Sequence, residues 1–240
     1  MTLWRRALAE LLGTGLLVTV VVGSGIAAQR LSPDDVGLQL LENAAATAVG
    51  LYVLILVFGP VSGAHFNPVV SLADALLGRR SGGLPLLEVP VYAVAQVLGA
   101  VGGAVLANAM FDLAAVSLST TTRTGGHLWL SEVVATTGLL LVVFCLARSG
   151  HSASTPAAVG AYIGGAYFFT SSTSFANPAV TVGRVFSDTF AGIAPGSVPG
   201  FVLAQLVGLG LGTALVSVLY PRAVAVPDAE ADAVVPRLAG

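Results

Sequence analysis

Two short segments, each containing an asparagine followed by a proline, are the parts of this chain best suited to bind a polar solute. The first runs Ser62-Gly-Ala-His-Phe-Asn67-Pro68-Val69, and the second runs Ser172-Thr-Ser-Phe-Ala-Asn177-Pro178-Ala179. Asn is a good N-cap because its side-chain oxygen accepts a free N–H of the first helical turn. Pro suits the first helical position. Each segment therefore predicts a loop that opens a short apolar helix of about three turns.

The asparagine side chains could supply hydrogen-bond donors at the end of each loop. When the oxygen caps the helix, the NH2 group points outward and can donate to a molecule in a lumen. One such motif usually marks an ordinary turn. Two copies at matching positions in two apolar halves instead indicate a substrate path near the middle of a membrane.

Composition places the chain among polytopic membrane proteins. It has 240 residues, of which 55% are hydrophobic and only 9% are charged, with a mean hydropathy of +0.90. The net charge of −2 says nothing about nucleic acid. The chain has no basic cluster, and we expect no nucleic-acid partner. The histidines and the single cysteine are scattered, so we predict no metal site or other cofactor. No sequence context marks a catalytic triad, and we do not expect an enzyme.

Six segments are apolar enough to cross a lipid bilayer, which takes about 20 residues each. They are predicted at Ala7–Ala28, Gln39–Pro60, Val89–Met110, Leu128–Ala147, Ser154–Ser171 and Pro199–Tyr220. The expected fold is an all-α membrane protein in which two short helices enter from loops. We interpret residues 1–240 as one domain, with half-repeats at 1–120 and 121–222. Residues 223–240 are predicted to form a disordered cytoplasmic tail, because they offer little apolar surface.

The two halves of the sequence resemble each other. The segment around Glu10 corresponds to that around Glu132, and Gln96 corresponds to Gln205. Because three spans per half is an odd number, the second copy must enter the membrane inverted. Two pairs of glycines four residues apart predict flat faces for close helix packing. They are Gly99, Gly103, Gly208 and Gly212.

Arginines near the span ends set the predicted orientation. With the N-terminus inside, the cytoplasmic set is Arg5, Arg6, Arg79, Arg80, Arg148, Arg222 and Arg237, and the outer set is Arg30, Arg123 and Arg184. This bias predicts that both termini are cytoplasmic. The use of Arg throughout in place of Lys, with abundant Ala, Gly and Val, suggests a GC-rich bacterial genome. We therefore expect a bacterial inner membrane protein.

Glu10 and Glu132 are acids inside predicted spans, where ionisable residues are costly and commonly functional. One interpretation is a proton relay. We favour a structural interpretation, because the repeat supplies one glutamate for each re-entrant loop. Each carboxylate could accept N–H groups that the loop cannot otherwise satisfy in lipid.

The six spans, the inverted halves and the two Asn-Pro loops resemble the aquaporin (major intrinsic protein) family over roughly Glu10 to Tyr220. The first motif departs from the family pattern at Val69, where alanine is usual. The resemblance implies the aquaporin fold, with six transmembrane helices and two re-entrant half-helices, and a homotetramer with one pore per subunit. Glu10 and Glu132 would be structural in this family.

In such a fold, Asn67 and Asn177 would donate hydrogen bonds at the pore centre. Both short helices would direct their positive ends there, which opposes cations and protons. Backbone carbonyl groups would form a ladder of acceptors for neutral solutes. They belong to Gly63, Ala64, His65, Thr173, Ser174 and Phe175.

The family narrows its outer mouth with four side chains, which by resemblance fall on Thr47, Gly165, Ser174 and Val180. Water channels have an arginine at the position of Val180. Here Arg184 lies one turn later, and we interpret it as a vestibule or headgroup residue. The predicted opening is wide, uncharged and mildly polar. Valine at this position is similar to bacterial channels associated with arsenic resistance, which pass arsenite or methylated arsenicals.

The leading hypothesis is a passive channel for small neutral solutes, such as glycerol-like polyols or arsenicals, together with water. A water-selective channel is the alternative within that class. An alternative from another functional class is an ion-coupled transporter built on broken helices. Its site for the coupling ion would have only Glu10 and Glu132 available. A non-conducting membrane scaffold is a third alternative. Membrane lipid is the expected environment in each case.

Overall fold

The computed structural model describes residues 1–79 and 82–221, and this part of the chain forms eight α-helices. They are α1 (Leu3–Leu31), α2 (Val36–Ser62), α3 (Pro68–Leu77), α4 (Val89–Met110), α5 (Gly126–Arg148), α6 (Thr155–Phe169), α7 (Pro178–Gly183) and α8 (Val198–Leu219). A 3₁₀ turn at Arg184–Phe186 continues α7. The same order occurs twice along the chain, as the sequence repeat predicts: two helices, a short helix at the Asn-Pro motif, and a further helix.

All six predicted spans are helical, but their lengths differ. Helices α1, α2, α4, α5 and α8 are long and apolar enough to cross a membrane. Helix α6 has only 15 residues, about 22 Å of helix, and ends before the predicted limit at Ser171. Helix α7 has six residues, fewer than the three turns expected. The predicted tail lies outside the described residues, as do Arg80, Arg222 and Arg237.

One closely packed pair of helices holds each half together. Helix α1 lies against α4, and α5 lies against α8. A methyl group at Gly103 would lie 2.1 Å from the carbonyl oxygen of Gly15, and one at Gly208 would lie 2.7 Å from the Cβ of Thr136. The glycines predicted from the sequence therefore let the helix backbones approach more closely than a larger residue would permit.

The short helices join the two halves. Helix α3 packs against α4 of its own half and against α8 of the other, while α7 packs against α8 and α4 in the same way. The two short helices also contact each other. Both loops are thus enclosed by protein, which irregular backbone at membrane depth requires.

We predict that Gly103→Ala destabilises the protein, because the new methyl group cannot fit against the Gly15 carbonyl. Overpacking of this kind costs about 1–3 kcal/mol in the free energy of unfolding. The matched control is Gly102→Ala on the adjacent exposed position, where no atom lies within 4 Å. The measurement is the apparent unfolding temperature of both purified variants in one detergent, and equal values for the two would contradict the packing argument.

Candidate functional site

Glu10 is a fully buried carboxylate that holds the first loop. Its Oε1 accepts hydrogen bonds from the Ser62 hydroxyl at 2.6 Å and from the backbone N–H of His65 at 3.0 Å. Its Oε2 accepts from the N–H of Phe66 and from Nε2 of Gln96, both at 2.7 Å. Two loop N–H groups that lipid could not satisfy are therefore bonded to a charged acceptor.

Glu132 repeats this arrangement at the second loop and is also fully buried. Its Oε1 accepts hydrogen bonds from the Ser172 hydroxyl at 2.6 Å and from the N–H of Phe175 at 2.9 Å. Its Oε2 accepts from the N–H of Ala176 at 2.8 Å and from Nε2 of Gln205 at 2.7 Å. A carboxylate has about four lone-pair sites. The geometry therefore fits the structural interpretation of both acids and leaves a proton relay without a free acceptor.

Both loops hold non-glycine residues in the left-handed region of backbone conformation. The φ angles are +50° at Ala64, +51° at Phe66, +63° at Thr173, +51° at Ser174 and +48° at Ala176. Each such residue costs of order 1–3 kcal/mol and persists only where its surroundings over-determine it. The bonds from both glutamates to these loops supply that constraint.

Asn67 and Asn177 cap the short helices and also bond across to the opposite loop. Each side-chain oxygen accepts the N–H two residues further on, at 3.0 and 2.9 Å. The Nδ2 of Asn67 donates to the carbonyl of Ala176, and the Nδ2 of Asn177 donates to the carbonyl of Phe66, both at 2.7 Å. The expectation that the NH2 groups simply point into a lumen therefore needs correction. One N–H of each amide joins the loops, and the other has no hydrogen-bond partner among the described residues.

A cavity of about 1700 Å³ is lined by both asparagines and by residues of both loops. Among the predicted site residues, its walls include Thr47, Gly63, Ala64, His65, Asn67, Ser174, Phe175, Asn177 and Val180. The carbonyl oxygens of residues 63–65, 174 and 175 accept no hydrogen bond within the described part of the chain. Since buried carbonyls are normally paired, these oxygens are available to water or to a solute.

The other motif residues lie outside the cavity wall. Pro68 and Pro178 open the short helices. Val69 and Ala179 are buried in the apolar core, so the departure at Val69 does not alter the wall directly. Thr173 also lies outside the wall, and its N–H bonds to the carbonyl of Thr170 at 3.4 Å.

The structure does not bring Gly165 to the predicted filter. Gly165 lies on an exposed side of α6, where no atom lies within 4 Å of the position of an added Cβ. Tyr167 points inward instead, with its hydroxyl 3.1 Å from Oγ1 of Thr47, and both residues line the cavity. The segment between α6 and Asn177 is not helical. Counting back from Asn177 therefore cannot fix which face of α6 is turned inward.

Arg184 corrects the expectation of an uncharged opening. The residue is only 2% exposed and lines the cavity together with Val180, which agrees with the vestibule interpretation and not with an exposed headgroup position. Its Nε donates to the carbonyl of Ala191, and its Cζ lies 3.5 Å from the centre of the Phe175 ring. The 3₁₀ turn after α7 thus places a guanidinium at the mouth although Val180 occupies the expected arginine position.

Val70 is a wall residue that the sequence analysis missed. The sequence repeat could have predicted Val70 as a wall residue, because Val70 follows Asn67 by the same interval as Val180 follows Asn177. The sequence repeat does not predict that Tyr167 lines the wall or that Arg184 points inward, because both depend on the path of a segment outside the α-helices.

The chain matches known proteins over most of its length. The family model described as major intrinsic protein matches residues 1–176. Aquaglyceroporin AqpS of Rhizobium meliloti (strain 1021) is 51% identical over 213 residues, covering 89% of each chain. Aquaporin-2 of Homo sapiens is 33% identical over 237 residues, covering 91% of this chain and 80% of that one.

Among solved structures, the aquaglyceroporin of Plasmodium falciparum matches with a TM-score of 0.67 at 21% identity, over 91% of this chain and 96% of that one. This likeness concerns the fold. Together with the all-helical architecture, it confirms the aquaporin fold predicted from the sequence.

We predict that Glu132→Gln disrupts the second loop, because an amide places an NH2 donor against N–H donors. A buried group left without its partner costs about 1–3 kcal/mol, which should lower the unfolding temperature. The matched control is Glu42→Gln, since Glu42 accepts a single side-chain bond, from Ser32 at 3.0 Å. If thermal unfolding in detergent shows equal stability for the two variants, the glutamate does not anchor the loop.

Proposed function

Because the chain belongs to the major intrinsic protein family, we propose that it is a passive channel for small neutral solutes of glycerol size, together with water. Its similarity to an aquaglyceroporin supports this solute class. The similarity to a Rhizobium protein supports a bacterial inner membrane location, and the arginine bias supports both termini in the cytoplasm. We propose a homotetramer with one pore per subunit on family resemblance alone.

The observation that carries the proposal is the row of unused hydrogen-bonding groups along the cavity. One N–H each of Asn67 and Asn177 can donate to a passing hydroxyl, while the loop carbonyls can accept from it. A solute that both donates and accepts can exchange its water shell for these groups step by step.

The ion-coupled transporter is less well supported. It would need a site for the coupling ion, and both buried glutamates already accept four hydrogen bonds each. The described residues contain no group of three or more His, Cys, Asp or Glu that could hold a metal ion. Passive conduction requires only the cavity and its polar wall.

The residues at the outer mouth support a solute larger than water. Thr47, Ser174 and Val180 are small, while Tyr167 and Arg184 lie along the wall. Neutral arsenite carries three hydroxyl groups, as glycerol does, and therefore belongs among the candidate solutes. That part of the proposal depends on Val180, where the chain has a valine in place of arginine.

Stopped-flow swelling of proteoliposomes tests the proposal with water, glycerol, arsenous acid and sorbitol, each with and without a proton gradient. We expect water and glycerol flux above that of empty vesicles and no effect of the gradient. Water flux alone would support the water-selective alternative. Uphill accumulation driven by the gradient would support a transporter, and no flux would support a scaffold.

We predict that Asn67→Asp and Asn177→Asp each reduce solute flux by about tenfold or more, the equivalent of one lost buried hydrogen bond. Each change places an oxygen against a carbonyl oxygen of the opposite loop. Asn43→Asp is the matched control, because Asn43 does not line the cavity but donates a similar buried bond, to the Val21 carbonyl at 2.8 Å. Flux is compared per unit of folded protein, and normal flux in both loop variants would remove the asparagines from the pore.

We predict that Val180→Arg lowers glycerol flux more than water flux, because a second guanidinium would narrow the mouth and add fixed donors. Val180→Ala serves as the control, since it changes size without adding charge. The measured quantity is the ratio of glycerol to water permeability in matched proteoliposomes. An unchanged ratio in the arginine variant would mean that Val180 does not lie at the narrowest point.

A further inference from the structure

Arg184 holds a charge at the cavity wall with most of its hydrogen-bonding capacity unused. A guanidinium has five N–H donors, and in the described part of the chain only the Nε–H is bonded, to Ala191. The terminal nitrogens Nη1 and Nη2 have no hydrogen-bond partner among the described residues, and neither is fully buried. They therefore keep accessible surface, and the cavity is the space that this residue lines.

Among residues 1–79 and 82–221 no carboxylate forms a close ion pair with Arg184, and the arginine–carboxylate pair found there is Arg6–Glu88. Glu132 acts on Arg184 only from a greater distance, because its oxygens accept the hydrogen bonds of the second loop. Arg123 adds a second guanidinium near the same ring, with its Cζ 5.2 Å from the centre of Phe175 and its Nε bonded to the Gly192 carbonyl at 2.8 Å. Arg123 does not line the cavity, so the positive charge of the cavity wall beside Val180 comes from Arg184, and the low-dielectric walls strengthen the effect of that charge.

The guanidinium of Arg184 is also fixed in place. It lies over Phe175, whose backbone N–H bonds to Glu132 and whose ring contacts Phe201 at a centroid distance of 5.1 Å. Gly183, directly before Arg184, lies so close to α4 that an added Cβ would be 2.7 Å from backbone atoms of Ala100. The turn that carries the arginine therefore has no room to shift toward α4.

We propose that Arg184 is the residue that excludes cations at the outer mouth, and that Val180 sets the width there. The inference rests on the proposed channel function. Because the guanidinium lies along the wall, on Phe175, the charge reaches the mouth without occupying the space beside Val180. The channel can then admit a wide neutral solute while opposing sodium ions and protons.

The test compares wild type, Arg184→Leu and Arg184→Lys in proteoliposomes, measuring sodium and proton permeability relative to glycerol permeability. We expect Arg184→Leu to raise both ratios by about tenfold or more, as the loss of one nearby unit charge implies. Arg184→Lys keeps the charge and should stay close to wild type. Folded protein is verified by size-exclusion chromatography before each measurement.

Arg123→Leu is the matched control, because Arg123 contacts the same ring but does not line the cavity. Ratios that rise equally in both leucine variants would assign the leak to looser packing around Phe175 and overturn the proposal. An unchanged ratio in folded Arg184→Leu would also overturn it. If Arg184→Leu does not fold, the neutral variant Arg184→Gln takes its place. A rise of about tenfold in both ratios then supports the proposal, and unchanged ratios contradict it. A wild type without glycerol flux would instead refute the channel function itself.

Discussion

Polar backbone placed at membrane depth must find partners inside the protein, and two buried carboxylates meet that requirement here. Glu10 and Glu132 each bind two N–H groups of a loop whose φ angles are strained. Their partners Gln96 and Gln205 also donate to hydroxyls of the short helices, at 3.0 Å in both halves. Long helix, loop and short helix are thus held by one buried network in each half.

The asparagine pair links these two networks. Because each Asn bonds to the carbonyl of the other loop, neither loop has its native partners until both halves have docked. The same contact sets the distance between the two loops and so the space beside them. Close helix packing at the glycines of α1 and α4 then places α7 against the first half.

The sequence was sufficient for features that depend on composition or on repetition. Hydropathy located the spans, and the repeat identified Glu10, Glu132 and both asparagines. It was insufficient where a non-helical segment decides direction. Gly165 was expected in the wall and Tyr167 lies there, because the turn after α6 does not continue the helical period. Arg184 was expected in the vestibule or near the headgroups, and its contact with Phe175, which depends on the 3₁₀ turn at 184–186, was not predicted.

The short α6 makes the two halves unequal. From the buried glutamate to the loop serine the first half has 52 residues and the second has 40, and α2 likewise exceeds α6 by twelve residues, 27 against 15. Most of the missing residues lie at the start of α6, where Ser152, Thr155 and Pro156 line the cavity, and three lie at its end, because α2 reaches the loop serine Ser62 whereas α6 stops at Phe169. The cavity wall is therefore built from helices of unlike length in the two halves. A passive conduit must obey detailed balance, so this asymmetry cannot make net flow one-directional at equilibrium.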